Sequence, residues 1–209
     1  MHWQNKAQLG LPVRVALWNT ADWRQQKAWT ISGSASSADV FSGCEVSPDG
    51  RWLVTVDYKG PFQVWSLTEA TAARSASSSG GTSSLAFSPD GRLLTTANLD
   101  GVVRVWEMPG LRKLAEFQAG SQALYALAFS PDSRRLATAG EGVEAISLWD
   151  VATWQELVAW ELPGESVGQI AFSADDSALI AENDKGDVLL WRAPSLAEIE
   201  AKQRNERTP

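Results

Sequence analysis

Leu85-Ala86-Phe87-Ser88-Pro89-Asp90-Gly91-Arg92-Leu93-Leu94-Thr95-Thr96-Ala97-Asn98-Leu99-Asp100-Gly101-Val102-Val103-Arg104-Val105-Trp106 holds the pattern that decides the fold. A short apolar run, Leu85-Ala86-Phe87, meets Ser88-Pro89-Asp90-Gly91. Proline presets φ there, aspartate caps its own backbone and glycine accepts a positive φ, so the segment turns the chain back on itself. A second run follows at Arg92–Thr96, and a third ends on Trp106. Short β-type runs joined by tight turns predict antiparallel strands.

The stretch recurs in phase. Ser47-Pro48-Asp49-Gly50, Ser130-Pro131-Asp132-Ser133 and Ser173-Ala174-Asp175-Asp176 are its other turns, and the four turns lie 18, 18, 19 and 18 residues before a tryptophan. Five tryptophans each end a β-type run: Trp18, Trp65, Trp106, Trp149 and Trp191, spaced 47, 41, 43 and 42 residues apart. A third register lies five and eleven residues beyond them: Trp23 and Trp29 after Trp18, Trp154 and Trp160 after Trp149, Leu111 and Phe117 after Trp106. A period in the low forties, made of short strands, predicts units of four antiparallel strands stacked as a repeat.

Composition narrows the function. Of 209 residues, 44% are hydrophobic, enough for a core, and 18 basic residues stand against 25 acidic ones for a net charge of -7. A general nucleic-acid binder needs a basic face to displace phosphate counterions, and a membrane-surface anchor needs a polybasic patch, so neither is expected. A single cysteine, Cys44, and a single histidine, His2, remove intrachain disulfides, thiolate metal clusters and most histidine chemistry. Met1 to Lys6 has no apolar leader core, and no apolar run approaches the length of a membrane span. A soluble, cytoplasmic setting is the expectation.

The phased turns, the strand-ending tryptophans and the literal Trp149-Asp150 pair resemble the WD-repeat family of β-propellers. Trp18-Asn19, Trp65-Ser66, Trp106-Glu107 and Trp191-Arg192 depart from that dipeptide. The resemblance covers residues 13–193 and implies an all-β fold of radially stacked blades. The ending Leu190–Ser195 is similar to bacterial members, which are often joined to kinases or other signalling modules. The family's hydrogen-bonded tetrad is carried over onto Thr96, Asp100 and Trp106, and its second position onto Thr55. Every tetrad histidine is missing, so Asp100 is expected to bond only its own turn and Thr96.

Taken as strands a to d from inside outwards, full blades fall at 40–78, 82–119 and 123–163. Partial ones fall at 13–32 (strands c and d) and 167–192 (a, b and c). Residues 1–12 are expected to be irregular. Residues 194–209 are expected to form a short helix and tail, because Ser195-Leu196-Ala197-Glu198 reads as a capping box. Three closures of the ring stay open. The chain is the C-terminal part of a seven-bladed ring, or strand 27–32 completes the last blade, or two chains join edges. In an incomplete ring the edges at 13–18 and 187–191 are exposed, and self-association through them is expected.

The serine-rich segments 32–37 and 75–81 read as flexible loops. Ala76 stands where Phe117 and Trp160 stand in their repeats, so its outer strand is expected to be the weakest. Gly140-Glu141-Gly142-Val143-Glu144-Ala145 fits a dinucleotide-binding pattern by letter but joins two strands and opens no helix. Asn183–Asp187 lacks the spacing of a calcium loop. Asp175-Asp176 lies in a solvated turn, unsuited to splitting two carboxyl pKa values. Cys44 replaces an apolar strand residue, and burial is expected for it.

No catalytic residue, cofactor or metal site is predicted. The resemblance implies partner binding on the face carrying the d–a and b–c loops. Ser42, Ser83, Tyr125 and Gly168 occupy the rim position entering strand a there, with Tyr125 the plausible anchor. The function expected is a non-enzymatic scaffold or regulatory module for protein partners. The alternative is a ligand- or glycan-binding propeller using exposed tryptophans among Trp3, Trp23, Trp52 and Trp154. A propeller hydrolase is a weaker third reading.

Overall fold

A computed structural model describes residues 13–31, 41–57, 62–68, 71–76, 81–162 and 165–192. The expected irregular segment 1–12 and the expected helix and tail at 194–209 lie outside them, as do the whole serine-rich segment 32–37 and residues 77–80 of the other. Among the described residues the chain is all β. A hairpin of β1 (Val13–Trp18) and β2 (Gln25–Ile31) comes first. Three four-stranded sheets follow. The first holds β3 (Phe41–Val46), β4 (Trp52–Asp57), β5 (Phe62–Ser66) and β6 (Thr71–Ala76). The second holds β7 (Thr82–Phe87), β8 (Leu93–Asn98), β9 (Val102–Glu107) and β10 (Arg112–Gln118). The third holds β11 (Leu124–Phe129), β12 (Arg135–Gly140), β13 (Glu144–Asp150) and β14 (Glu156–Glu161). A three-stranded sheet of β15 (Val167–Phe172), β16 (Ala178–Asn183) and β17 (Val188–Arg192) ends the series. Every sheet is an antiparallel meander in sequence order. Strand β2 pairs with β1 and does not complete the last sheet.

The turns form as their sequence dictates. Ser88 Oγ accepts from the Leu93 amide at 2.9 Å and donates to Asp90 Oδ1 at 2.6 Å, while Asp90 Oδ1 also accepts from the Arg92 amide at 3.0 Å. Ser130 with Asp132 and Ser173 with Asp175 repeat these bonds at the same distances, 2.9 Å to the amide and 2.6 Å to the carboxylate. The fourth turn residue has φ of 68° at Gly50, 72° at Gly91, 62° at Ser133 and 61° at Asp176. A left-handed backbone is free to glycine and costs other residues about 1–2 kcal/mol. Ser133 and Asp176 put their side chains to use there: Ser133 Oγ accepts from the Asp90 amide of the preceding sheet, and Asp176 pairs with Arg135 of its preceding sheet.

Sheets stack face to face through their inner strands, β3 on β7, β7 on β11 and β11 on β15. The face each sheet turns toward the next is sealed. Val54, Val56, Phe62 and Val64 pack with Phe87, Leu94 and Trp106. Ala97, Val103 and Val105 pack with Leu124, Leu136 and Trp149. Ala137, Ala139 and Ile146 pack with Val167, Leu179 and Ala181, with Trp191 against them. The same face of the last sheet is open: Val188 is 68% exposed, Leu190 61% and Ile180 40%. With open faces and edges at its last sheet, the stack is an incomplete ring.

Aromatic residues bridge every one of these seams. Phe117 lies against Trp149 at 4.6 Å and Trp154 at 5.9 Å between ring centroids, and Trp160 lies against Trp191 at 5.3 Å. In the first seam Phe62, the neighbour of Ala76 across β5 and β6, meets Trp106 edge-on at 5.3 Å. The equivalent cross-strand pairs are Val103 with Phe117 and Ile146 with Trp160. Large and small have exchanged strands, so Phe62 supplies the aromatic group that position 76 lacks.

Candidate interaction surface

The strand-ending tryptophans are positioned alike. Trp65, Trp106, Trp149 and Trp191 lie opposite Leu53, Leu94, Leu136 and Leu179. Two residues beyond each of the first three leucines a threonine reaches the indole: Trp65 Nε1 donates to Thr55 Oγ1 at 3.0 Å, Trp106 to Thr96 at 3.4 Å and Trp149 to Thr138 at 3.1 Å. In the last sheet that position is Ala181. Trp65, Trp106 and Trp149 are each 7% exposed, and their N–H groups need such partners because burial without one costs about 1–3 kcal/mol. Asp100 departs from the expected link to Thr96. Its carboxylate accepts from the Val102 amide at 3.2 Å inside its own turn, and its carbonyl accepts from Gln118 Nε2 at 2.8 Å.

The four rim positions share a backbone cause. Each inner strand carries a register break at its second residue, between Phe41 and Gly43, Thr82 and Ser84, Leu124 and Ala126, and Val167 and Gln169. Ser42, Ser83, Tyr125 and Gly168 are therefore the extra residues of four β-bulges, features that re-aim a side chain at a sheet rim. Ser83, Gly168 and Tyr125 differ in what they present at the rim. Ser83 turns its hydroxyl to the carbonyls of Ala97 and, in the next sheet, Leu124, so it joins two sheets. Gly168 is exposed and bare. Tyr125 is half-buried, and its hydroxyl donates to Glu141 Oε1 at 2.6 Å.

Two clefts flank this rim. One, of about 250 Å³, is lined by Cys44, Glu45, Val56, Ser83, Leu85 and Tyr125 among others. Cys44 is exposed, contrary to the burial expected of it: its counterparts Leu127 and Ile170 are covered by neighbouring sheets, whereas the inner strand of Cys44 is the first of the stack. Glu45 reaches from that strand to accept from the Phe87 amide at 3.1 Å. Burial pushes its carboxyl above the ordinary value, and the Phe87 amide offsets part of that rise. The second cleft, of about 300 Å³, lies between the last two sheets and is lined by Gln122, Glu141, Val143, Glu165, Ser166 and Asp184 among others. Hydrogen bonds from Asn183 and Lys185 hold the Glu165 carboxyl below its ordinary range. The acidic second cleft was not legible in the sequence, because Glu141, Glu165 and Asp184 come from three separate loops.

The letter match to a nucleotide loop has a packing explanation. A Cβ on Gly140 would fall 2.1 Å from the Ala123 carbonyl oxygen, so β12 ends without a side chain in order to pass beneath the start of β11. Among the described residues no group of three His, Cys, Asp or Glu is placed to hold a metal ion, and no helix is long and apolar enough to cross a membrane.

Residues 72–107 and 111–143 match the WD40 family, described as WD domain, G-beta repeat. The first match runs from β6 through β9 and the second from β10 through β12. Each repeat thus begins on the outer strand of one sheet and continues into the next, so the covalent unit itself ties neighbouring sheets. Two segments of the chain thus match WD40 repeats, a kind of repeat that generally serves protein interaction. No curated protein matches the chain.

Proposed function

We propose that this chain is a non-enzymatic interaction module whose rim of inner-strand bulges docks a protein partner, with Tyr125 as the anchor. The observation that carries this reading is the shared register of the four bulges. Tyr125, the one aromatic residue among them, lines the cleft of Cys44 and Glu45, and its hydroxyl bonds Glu141, which lines the second cleft with Glu165 and Asp184. A half-buried tyrosine offers a large rigid surface at low entropic cost and is enriched at binding hot spots. The Glu141 carboxylate bonded to it, with Asp184 lining the same cleft as Glu141, favours a partner segment bearing lysine or arginine. A regulatory place beside a signalling domain in a larger, bacterial propeller protein and a cytoplasmic setting belong to the same proposal.

The ligand-binding alternative has less support. Trp154 stacks on Phe117 and Trp52 packs beside the first core cluster, while the exposed Trp18 and Trp23 sit on the first hairpin and line neither cleft. Affinity capture with the full chain, followed by mass spectrometry, tests the proposal. A partner held by wild type and by Trp23→Asn, and lost with Tyr125→Ala and Glu141→Lys, supports it. Capture indifferent to Tyr125→Ala and Glu141→Lys overturns it.

A further inference from the structure

The first hairpin shares the strand-end pairing and turn of the hairpin that receives Phe117. Trp18 pairs with Gln25 and Trp149 with Glu156, each after a register break. Val15 pairs with Trp29, and Ile146 with Trp160. The Asn19 amide donates to the Arg24 carbonyl at 2.9 Å, as the Asp150 amide does to the Gln155 carbonyl at 2.9 Å. Trp23 and Trp154 hold φ of 55° and 57°, so both rings are launched from a left-handed turn residue. The two hairpins differ in what covers them. Trp149 is 7% exposed beneath Phe117, and Trp154 is half-buried beside it, whereas Trp18 is 53% and Trp23 75% exposed.

At the other end of the stack lies the complementary half. In the internal seams the residues one and three positions before a strand-ending tryptophan face the next sheet and reach its tryptophan: Phe62 and Val64 toward Trp106, Val103 and Val105 toward Trp149, Ile146 and Leu148 toward Trp191. Val188 and Leu190 hold these two positions in the last sheet and face outward. A series of like units thus ends in two unlike faces, a donating one and a receiving one, related by the step that builds every internal seam.

We propose that these faces join between copies of this chain, Val188 and Leu190 of one seating on Trp18 and Trp23 of another. The contact is one of sheet faces, not of hydrogen-bonded strand edges, and it is heterologous, so it propagates head to tail. No outer strand bearing an aromatic residue follows β17 among the described residues, so the seam lacks the equivalent of Phe117 and is weaker than the internal ones. Reversible, concentration-dependent association is the form this takes. The inference extends the reading of the chain as an interaction module, but it does not depend on the Tyr125 rim.

Light scattering on size-separated full chain tests it with two variants, Trp18→Glu and Leu190→Glu. Both sites are exposed in the single chain, so circular dichroism should show both variants folded. Wild type should exceed the monomer mass increasingly with concentration. Each variant alone should stay at the monomer mass, since one of its two faces is spoiled. An equimolar mixture should give a dimer and nothing larger, because one intact pair of faces remains. The proposal is overturned by wild type that stays monomeric at every concentration, by a single variant that still associates, or by a mixture that stays monomeric. None of those results touches partner capture through Tyr125, and loss of capture leaves the seam standing.

Discussion

Replacing Phe117 with alanine isolates the force that holds the sheets together. The ring touches Trp149 and Trp154 of the next sheet, with centroids 4.6 Å and 5.9 Å away, and is itself half-buried. A fully buried Phe→Ala change costs about 3–5 kcal/mol through lost transfer energy and the cavity left behind. Half burial takes that to roughly 2 kcal/mol, and each aromatic pair adds about 0.5–1.5 kcal/mol beyond area. The expected loss is therefore about 3–5 kcal/mol, a large share of the roughly 5–15 kcal/mol that stabilises a domain. For a chain of this length that lowers the melting temperature by about 6–20 °C. Thermal unfolding followed by near-ultraviolet circular dichroism measures it, because the two indoles change environment as the seam opens. Phe117→Leu keeps most of the area and should lose about half as much. A Phe117→Ala melting temperature within 1 °C of wild type would refute the argument that aromatic bridges carry the inter-sheet contact.

Three further outcomes follow from named contacts. Thr138→Val leaves the buried Trp149 N–H without its acceptor at 3.1 Å and should cost about 1–3 kcal/mol in chemical denaturation, with a blue shift in tryptophan emission. Gly101→Ala puts a Cβ 2.1 Å from the Gly120 carbonyl oxygen at φ +77°, a clash with backbone, and should leave little folded protein by circular dichroism. Hydrogen bonds from Ser173 and Ser177 lower the Asp175 carboxyl to about 2, below its ordinary value. A depressed folded-state value stabilises above the unfolded one and is lost as pH falls through the folded one. Asp175→Asn should therefore melt below wild type at neutral pH, and the gap should close as pH falls from about 4 to 2.

The repeat was legible in the sequence because its determinants are local. Serine, proline, aspartate and glycine at fixed offsets impose the turn whatever surrounds them, and strands ending on a tryptophan every forty-odd residues leave one way to bury a shared face. The same reasoning aligned Tyr125 with its three companion positions, though not as four bulges, since register is set by pairing across strands. Where the letters depart from the repeat, only tertiary structure supplies the reason. Ser133 and Asp176 occupy a conformation suited to glycine because their side chains grip the preceding sheet, across 43 and 41 residues of chain. Phe62 makes good the alanine at position 76 because β5 and β6 lie side by side. Trp23 and Trp154 stand at the same offset after a strand-ending tryptophan and have φ of 55° and 57°, yet Trp154 is covered and Trp23 bare. Local chemistry fixes the conformation of a turn, but burial depends on which sheet arrives next, and that is a property of the stack.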